Sequence, residues 1–457
     1  MSRFPSTIFA GRRYAVVGLG RAGIATLRAL AAMGAIVTGW DDAGFARDAA
    51  QREGFAVVDP TADIGDLDAL VLSPGIPHML PVPHRLAASA RLAGVPILTD
   101  AELLFQAVRR AGGKARFVGI TGTNGKSTTT SLLAHILALA GVPHAAGANL
   151  GPAAISLELL PDTGVYVLEM SSYMLERLAT LRFDAAVMLN LSPDHLDRHG
   201  DMAGYLAAKR QIFARQSDGD LAVLGIDDPY SRALAESLPG ARTISACGTA
   251  DIGCVDGVLH EGGIPVFDMR KAASLPGVHN AQNAAAAWAV AKALGLDADT
   301  IRQGLESFPG LAHRQEHVGA LNGISFVNDS KATNAEAAAR ALACYDRIVW
   351  IAGGIAKAGG IASLAPFFPR VVQAFLIGRD AAAFAETLRN AAVPHEMVET
   401  LERAVPVAYA AARGSKAEVV LFSPAGASFD QFSGFEARGS RFRVLVQDLI
   451  AQMGEAA

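Results

Sequence analysis

The run Gly119-Ile120-Thr121-Gly122-Thr123-Asn124-Gly125-Lys126-Ser127-Thr128 lies between an apolar stretch, Phe117–Ile120, and an Ala/Leu-rich stretch with helical character that continues through Leu139. A glycine-rich turn of this kind needs the end of a strand to meet the start of a helix, so it belongs to an α/β sheet and marks a phosphate-binding loop. Glycines let backbone N–H groups converge on phosphate oxygens, and the helix N-terminus adds positive potential. Lys126 neutralises phosphate charge, and the Ser127 or Thr128 hydroxyl can ligate Mg²⁺. The usual spacing of such loops would place glycine at position 120, where Ile120 stands, so this is a shortened variant, Gly-Thr-x-Gly-Lys-Ser-Thr. The bland alternative is a glycine-rich turn with an exposed lysine, and it gives no reason for strand, loop and helix to follow in this order.

The α/β reading extends over the whole chain. Before the loop, Tyr14–Val17, Ala35–Thr38, Ala69–Leu72 and Val95–Leu98 read as strands separated by helical stretches, the first of which runs to Met33. After the loop, Val165–Glu169 and Ala185–Leu189 read as strands and Asn280–Leu294 as a buried helix. Ile324–Asn328, Ile348–Ala352, Ala374–Ile377 and Val419–Phe422 then begin a further alternation. Such rhythm means βαβ units and mostly parallel sheets. At 457 residues more than one core is required. The polar segment Arg109–Lys114 and the Phe308-Pro309-Gly310 punctuation divide the chain into 1–112, 113–310 and 311–457.

Composition excludes several function classes. With 51% hydrophobic and 18% charged residues the chain is globular throughout, and 40 basic against 44 acidic side chains provide no global field for nucleic acid or an anionic membrane. Cys247, Cys254 and Cys344 contain no CxxC pair, which fits a reducing compartment and excludes a disulfide framework. Met1–Gly20 lacks the features of a secretory signal and no uninterrupted apolar span suits a membrane helix, so a soluble cytoplasmic protein is expected.

Further residues point to a site. Gly18-Leu19-Gly20-Arg21-Ala22-Gly23 follows a strand and opens a helix, with Asp41 and Asp42 about twenty residues on. This pattern suits a dinucleotide, and equally any nucleotide-linked diphosphate or a purely structural turn. Glu169 ends its strand where a carboxylate reaches Mg²⁺ beside a nucleotide. Asn190-Leu191-Ser192-Pro193-Asp194-His195-Leu196-Asp197-Arg198-His199 crowds ionisable groups into a loop after another strand, and Tyr205-x-x-x-Lys209 follows on a helix. Taken singly, His195 reads as an ordinary loop histidine and Lys209 as a solvated helix lysine.

Together, the loop Gly-Thr-Asn-Gly-Lys-Ser-Thr, the Asp-His-Leu-Asp stretch and the Tyr-x-x-x-Lys helix resemble the Mur ligases. Asn328-Asp329-Ser330-Lys331-Ala332-Thr333-Asn334 and Ser423–Phe432 resemble the family member that adds D-glutamate to UDP-N-acetylmuramoyl-L-alanine in peptidoglycan synthesis. The resemblance implies three domains: a Rossmann-like one for the UDP substrate, a central P-loop ATPase, and a Rossmann-like C-terminal one that closes over the site. It implies that Gly20, Arg21, Asp41, Ser73, Pro74 and Gly75 surround the UDP group and that Asn149 contacts the muramoyl part. ATP would be held by Gly122–Thr128, Asn280, Asn283, Arg314 and Asp329, with His313 beside Arg314. D-glutamate would be held by Lys331, Thr333, Lys357, Ser428 and Phe435. Two Mg²⁺ ions would be held by Ser127, Glu169, His195 and Lys209, the last as a carbamate. Lys357 lacks the acidic residue that relatives often carry before it, and the connection after Asn334 is short.

The implied reaction is attack of the alanine carboxylate on the γ-phosphate of ATP to give an acyl phosphate and ADP, after which the D-glutamate amine displaces phosphate. Lys126, Lys209, Arg314 and His195 are the expected catalytic residues, His195 positioning the amine. A monomer is expected. An NAD-dependent oxidoreductase would leave the second phosphate loop without a purpose, and a nucleotide switch would not need Glu169, His195 and Lys209. Sibling ligases for other amino acids share the central loop.

Overall fold

The computed structural model describes residues 3–357 and 359–454. The chain divides into two compact units, residues 1–271 with 278–307 and residues 272–277 with 308–457. The first carries two sheets. In the N-terminal sheet the strands are parallel in the order Ile36–Trp40, Arg13–Val17, Ala69–Leu72 and Ile97–Leu98. The second sheet has nine strands and is parallel from His144–Ala148 through Val165–Glu169, Arg116–Thr121, Ala185–Met188, Leu221–Gly225 and Arg242–Ser245 to Ile252–Val255. Val258–Glu261 and Ile264–Asp268 extend it as an antiparallel edge.

One apolar core serves both of these sheets. Helix Asp100–Arg110 buries Leu103, Leu104, Ala107 and Val108 in a cluster that also holds Leu27, Leu30, Phe117 and Ile155. The helix begins with Thr99 accepting a hydrogen bond from the Glu102 N–H, which satisfies an otherwise orphaned donor. Glu102 itself is fully buried, and its carboxylate collects the N–H groups of Ala179, Thr180 and Leu181. These charge-assisted bonds tie helix Asp100–Arg110 to the segment that leads into the next strand of the second sheet.

In the second unit the strands run Glu316–Leu321, Ile324–Asn328, Val419–Ala425, Ile348–Gly353, Val371–Ile377 and His395–Glu399. All but the first are parallel. Apolar clusters cover both faces, one around Trp350 and Leu388, the other around Phe326, Tyr409 and Phe442. A sheet buried on both faces explains the near-continuous apolar runs in its strands. Among the described residues no helix is long and apolar enough to cross a membrane.

The strands expected from sequence are present, with shifted ends. Ala69–Leu72, Val165–Glu169 and Ile324–Asn328 match their expected limits, whereas the stretch read as Val95–Leu98 is a strand only at Ile97–Leu98. The Ala-rich helix is His279–Ala293, buried over almost its whole surface. Its lack of a polar face is what made it legible. The antiparallel edge from Ile252 to Asp268 was not foreseen, because its short strands carry glycine, aspartate and proline that read as loop.

Candidate active site

In the first unit the phosphate loop leaves strand Arg116–Thr121 and enters helix Lys126–Leu139. Gly122 and Gly125 have φ of +148° and +83°, conformations that glycine adopts without steric cost. The loop is clamped from behind. The Asn124 N–H donates to Asn190 Oδ1 at 2.9 Å, and Asn190 Nδ2 donates to Gln282 Oε1 at 2.8 Å. Gln282 Nε2 in turn donates to Asp227 Oδ2 at 2.7 Å. Each amide fixes the orientation of the next, so a carboxylate two side chains away sets the direction of a loop peptide.

Lys126 Nζ lies 2.9 Å from the carbonyl oxygens of both Gly122 and Thr123, arched over the loop. Ser127 is buried at the first turn and Thr128 is half-buried beside it. Asn283, expected on the adenine side, uses Oδ1 to accept from Thr129 Oγ1 at 3.1 Å, and its Nδ2 donates to Asn280 Oδ1 at 2.9 Å. These asparagines lie within helix His279–Ala293 and support the loop helix from below.

Glu169 ends strand Val165–Glu169, next to the loop strand, and is 2% exposed. Its Oε1 accepts from Asn149 Nδ2 at 2.5 Å, whereas its Oε2 is buried with no hydrogen-bond partner. A buried carboxylate oxygen without a donor is costly alone and suits a hard cation. Among the described residues no three His, Cys, Asp or Glu side chains gather into a metal cluster. The Asn149 side chain, expected at the muramoyl group, is used on this carboxylate.

Lys209 is 2% exposed on helix Met202–Arg210 and donates to Thr121 Oγ1 at 3.2 Å and the Gly122 carbonyl at 2.9 Å. Burial, and then the charge of Lys126, push its ammonium well below the ordinary lysine range. That shift favours the nucleophilic amine, the form that adds carbon dioxide to become a carbamate. Its Nζ sits 4.8 Å from the centroid of the Tyr205 ring, and Tyr205 Oη is 3.3 Å from Thr123 Oγ1.

His195 is the left-handed residue, φ +53°, that starts the turn Leu196–His199. Its ring lies 5.0 Å from that of Tyr173 and 6.5 Å from that of Tyr205. Tyr205 thus touches the phosphate loop, the buried lysine and the histidine loop. It precedes Lys209 by one helical turn, the same-face spacing of the Tyr205-x-x-x-Lys209 motif.

On the N-terminal sheet, Gly18 has φ +92° and a Cβ there would lie 2.6 Å from Ser73 Oγ, while a Cβ on Gly23 would meet the Gly18 carbonyl at 1.9 Å. Gly20 faces open space, with nothing within 4 Å of where its Cβ would be. These are the three glycine roles of a diphosphate-binding turn: tight turn, open approach and close helix packing. Asp41 accepts from the Leu19 N–H at 2.7 Å and so braces the turn. Arg21 is exposed at the start of its helix, and Ser73 donates to the Gly18 carbonyl at 2.8 Å, which brings Pro74 and Gly75 alongside.

The second unit carries its own polar group. Buried Asp329 accepts from Ser423 Oγ at 2.7 Å and from the Gln315 N–H at 3.2 Å, and burial pushes its carboxyl up to about 7. Arg314 lies in the turn bridged to Leu311, after His313 at φ +63°. The Lys331 ammonium is 5.7 Å from the centroid of the Phe435 ring, and the His313 ring stands nearly perpendicular to that ring at 6.3 Å. Thr333 follows in the same turn, its N–H bonded to the Lys331 carbonyl. Ser428 is buried beneath the Gln431 and Phe432 N–H groups, and Lys357 is exposed. Arg438, which the sequence did not single out, is 1% exposed and donates to Ser330 Oγ, the Ser330 carbonyl and the Gly426 carbonyl. It staples together two of the motifs that carried the family resemblance.

Comparison with known proteins places the chain in a family. Residues 120–291 match the Mur ligase middle domain and residues 313–426 the Mur ligase, glutamate ligase domain. The chain is 49% identical over 464 residues to the UDP-N-acetylmuramoylalanine–D-glutamate ligase of Caulobacter vibrioides, covering 98% of each chain. It is 50% identical over 446 residues to the protein of the same name from Paramagnetospirillum magneticum, covering 96% of each. Among solved structures, UDP-N-acetylmuramate-alanine ligase MurC from Thermotoga maritima aligns with a TM-score of 0.59 at 19% identity, over 96% of this chain and 99% of that one. MurF from Acinetobacter baumannii aligns at 0.57 and 17% identity, over 98% and 93%. At these identities the two structures speak for the three-domain α/β fold.

Proposed function

This chain belongs to the Mur ligase family, and we propose that it joins D-glutamate to UDP-N-acetylmuramoyl-L-alanine with conversion of ATP to ADP and phosphate, as a monomer in the cytoplasm. Two phosphate-binding turns in one compact unit carry the reading. One is open for a nucleotide diphosphate, and the other is backed by a buried carboxylate oxygen with no protein partner. The relatives with which the chain shares about half its residues bear the name of that reaction. For an oxidoreductase the second turn and the lysine at its back would have no task.

In the proposed reaction the alanine carboxylate attacks the γ-phosphorus and ADP leaves with the bridging oxygen. The glutamate amine then attacks the acyl carbon, loses a proton and displaces inorganic phosphate. Lys126 and the N–H groups of residues 122–128 bind the phosphates and oppose the charge that spreads over the transferring group. Asn190, Gln282 and Asp227 hold that loop rigid, so little reorganisation is needed when charge develops. Mg²⁺, when bound, supplies neutralisation of the triphosphate charge. Ser127 and Glu169 would hold one ion, and His195 with carbamylated Lys209 a second. Asn280 and Asn283 serve the adenine side. Gly20, Arg21, Asp41, Ser73, Pro74, Gly75 and Asn149 serve the UDP substrate. Of the second unit, Arg314 and Asp329 serve ATP, and Lys331, Thr333, Lys357, Ser428 and Phe435 serve the two carboxylates and chain of D-glutamate. The corresponding functional division is 1–112, 113–310 and 311–457.

The deciding experiment is phosphate release from ATP with Mg²⁺ and UDP-N-acetylmuramoyl-L-alanine, comparing D-glutamate with L-glutamate, L-alanine and meso-diaminopimelate. Release that requires D-glutamate is expected. Release with a different acceptor transfers the assignment to a sibling ligase, and none with any acceptor removes it.

A further inference from the structure

Arg177 is the residue whose placement the reaction so far leaves unused. It lies just after the short helix Ser172–Leu175, eight positions beyond Glu169, and is 3% exposed. A fully buried arginine normally meets a carboxylate. Here the guanidinium instead donates across to the N-terminal sheet. Nη1 reaches the carbonyls of Leu72 at 2.6 Å and Ser73 at 3.3 Å, and Nη2 reaches that of Pro74 at 3.1 Å. Nε is spent on the Tyr173 carbonyl at 2.9 Å, and the Tyr173 ring packs on His195. Burial and the neighbouring Arg198 draw the group down to about 10, which leaves it protonated at neutral pH.

The consequence for the loop follows from peptide geometry. In a planar trans peptide the C=O and N–H point in opposite directions. A guanidinium that pulls the Pro74 carbonyl inward therefore turns the Gly75 N–H, on the same peptide, outward. Gly75 is exposed, and the Ser73 hydroxyl beside it is bonded to the Gly18 carbonyl of the diphosphate turn. The positive charge beneath the loop also favours an anion above it.

We propose that Arg177 is a positioning residue for the UDP substrate: reaching out of the ATP-binding sheet, it sets the Ser73–Gly75 loop so that a backbone N–H faces the substrate diphosphate. This rests on the proposed function for the identity of the ligand. The geometry of one substrate site is then held by a residue of the segment after helix Ser172–Leu175, eight positions beyond Glu169. Glu176 supports the arrangement from the other side, 2.9 Å from His199 and 3.4 Å from His78 at the far end of the same loop.

The test uses the full chain with Arg177→Met, which removes every donor, and Arg177→Lys, which keeps the charge without the fork. The readouts are KM for UDP-N-acetylmuramoyl-L-alanine, kcat at saturation, calorimetric affinity for a non-hydrolysable ATP analogue, and the urea midpoint. Arg177→Met should raise KM for the UDP substrate about tenfold, the scale of one lost charge-assisted hydrogen bond, with kcat and ATP-analogue affinity within about twofold of wild type. Arg177→Lys should fall between the two. Unchanged KM in either folded variant overturns the proposal, as does a parallel loss of UDP-substrate and ATP affinity, which would make Arg177 a general packing group. If Arg177→Met does not fold, Arg177→Lys decides by the same measurements. Wild-type protein that neither binds nor turns over the UDP substrate overturns the proposed function itself, a result distinct from a wild type that works and variants that match it.

Discussion

Gly125→Ala probes how firmly the phosphate loop is held from behind. Gly125 caps helix Lys126–Leu139 at φ +83°, in the left-handed region where a Cβ costs about 1–2 kcal/mol. That Cβ would also lie 2.2 Å from Asn283 Oδ1. Asn283 has nowhere to retreat, being 2% exposed and tied to Thr129 at 3.1 Å and Asn280 at 2.9 Å. Displacing it breaks a buried hydrogen bond at a cost of about 1–3 kcal/mol. The sum, about 2–5 kcal/mol, falls on the loop conformation that binds phosphate. At about 1.4 kcal/mol per decade, affinity for a non-hydrolysable ATP analogue should drop by roughly 30-fold to a few thousandfold. Titration calorimetry with saturating Mg²⁺, alongside urea unfolding of the same preparation, measures it. Gly20→Ala is the control: its φ is −69° and its Cβ would meet nothing within 4 Å, so stability and ATP affinity should stay at wild type. A Gly125→Ala protein that binds the analogue within about threefold of wild type would refute the claim that this contact holds the loop.

Glu169→Gln keeps the bond to Asn149 but removes the charge at the unpaired Oε2. Turnover at fixed Mg²⁺ should fall about 100-fold or more with the fold intact by circular dichroism, and near-normal turnover would remove Glu169 from the cation site. Asp329 has its carboxyl raised from 3.8 to about 7, so its contribution to stability is full below the unfolded value and is lost as pH rises through the folded one. Relative to wild type, Asp329→Asn should therefore gain in urea midpoint between about pH 4 and pH 7; parallel pH profiles would contradict this. Arg438→Met leaves the Ser330 and Gly426 carbonyls without their donor. It should destabilise the second unit by about 3 kcal/mol in urea unfolding, and an unchanged midpoint would count against the staple.

The local elements were legible because they depend on neighbours in the chain. Strand, glycine turn and helix around Lys126 follow from residue types that sit side by side, and apolar runs such as Val165–Leu168 announce strands buried on both faces. The edge from Ile252 to Asp268 escaped because its pairing partners, not its residues, make it a sheet. The same distinction separates the site residues. Lys126 and Glu169 stand out as types at a loop and a strand end, whereas His195 taken singly reads as an ordinary loop histidine and Lys209 as any helix lysine. Only the packing of Thr121, Gly122 and Tyr205 around Lys209 gives it the burial that lowers its ammonium's pKa. Arg177, Gln282 and Arg438 carry no signal in their own surroundings. Each acts on groups in other segments of the chain, and its burial is decided only when those segments pack together. The sequence by itself determined where phosphate could be bound; the tertiary structure decided which polar groups are dry enough, and held firmly enough, to direct it.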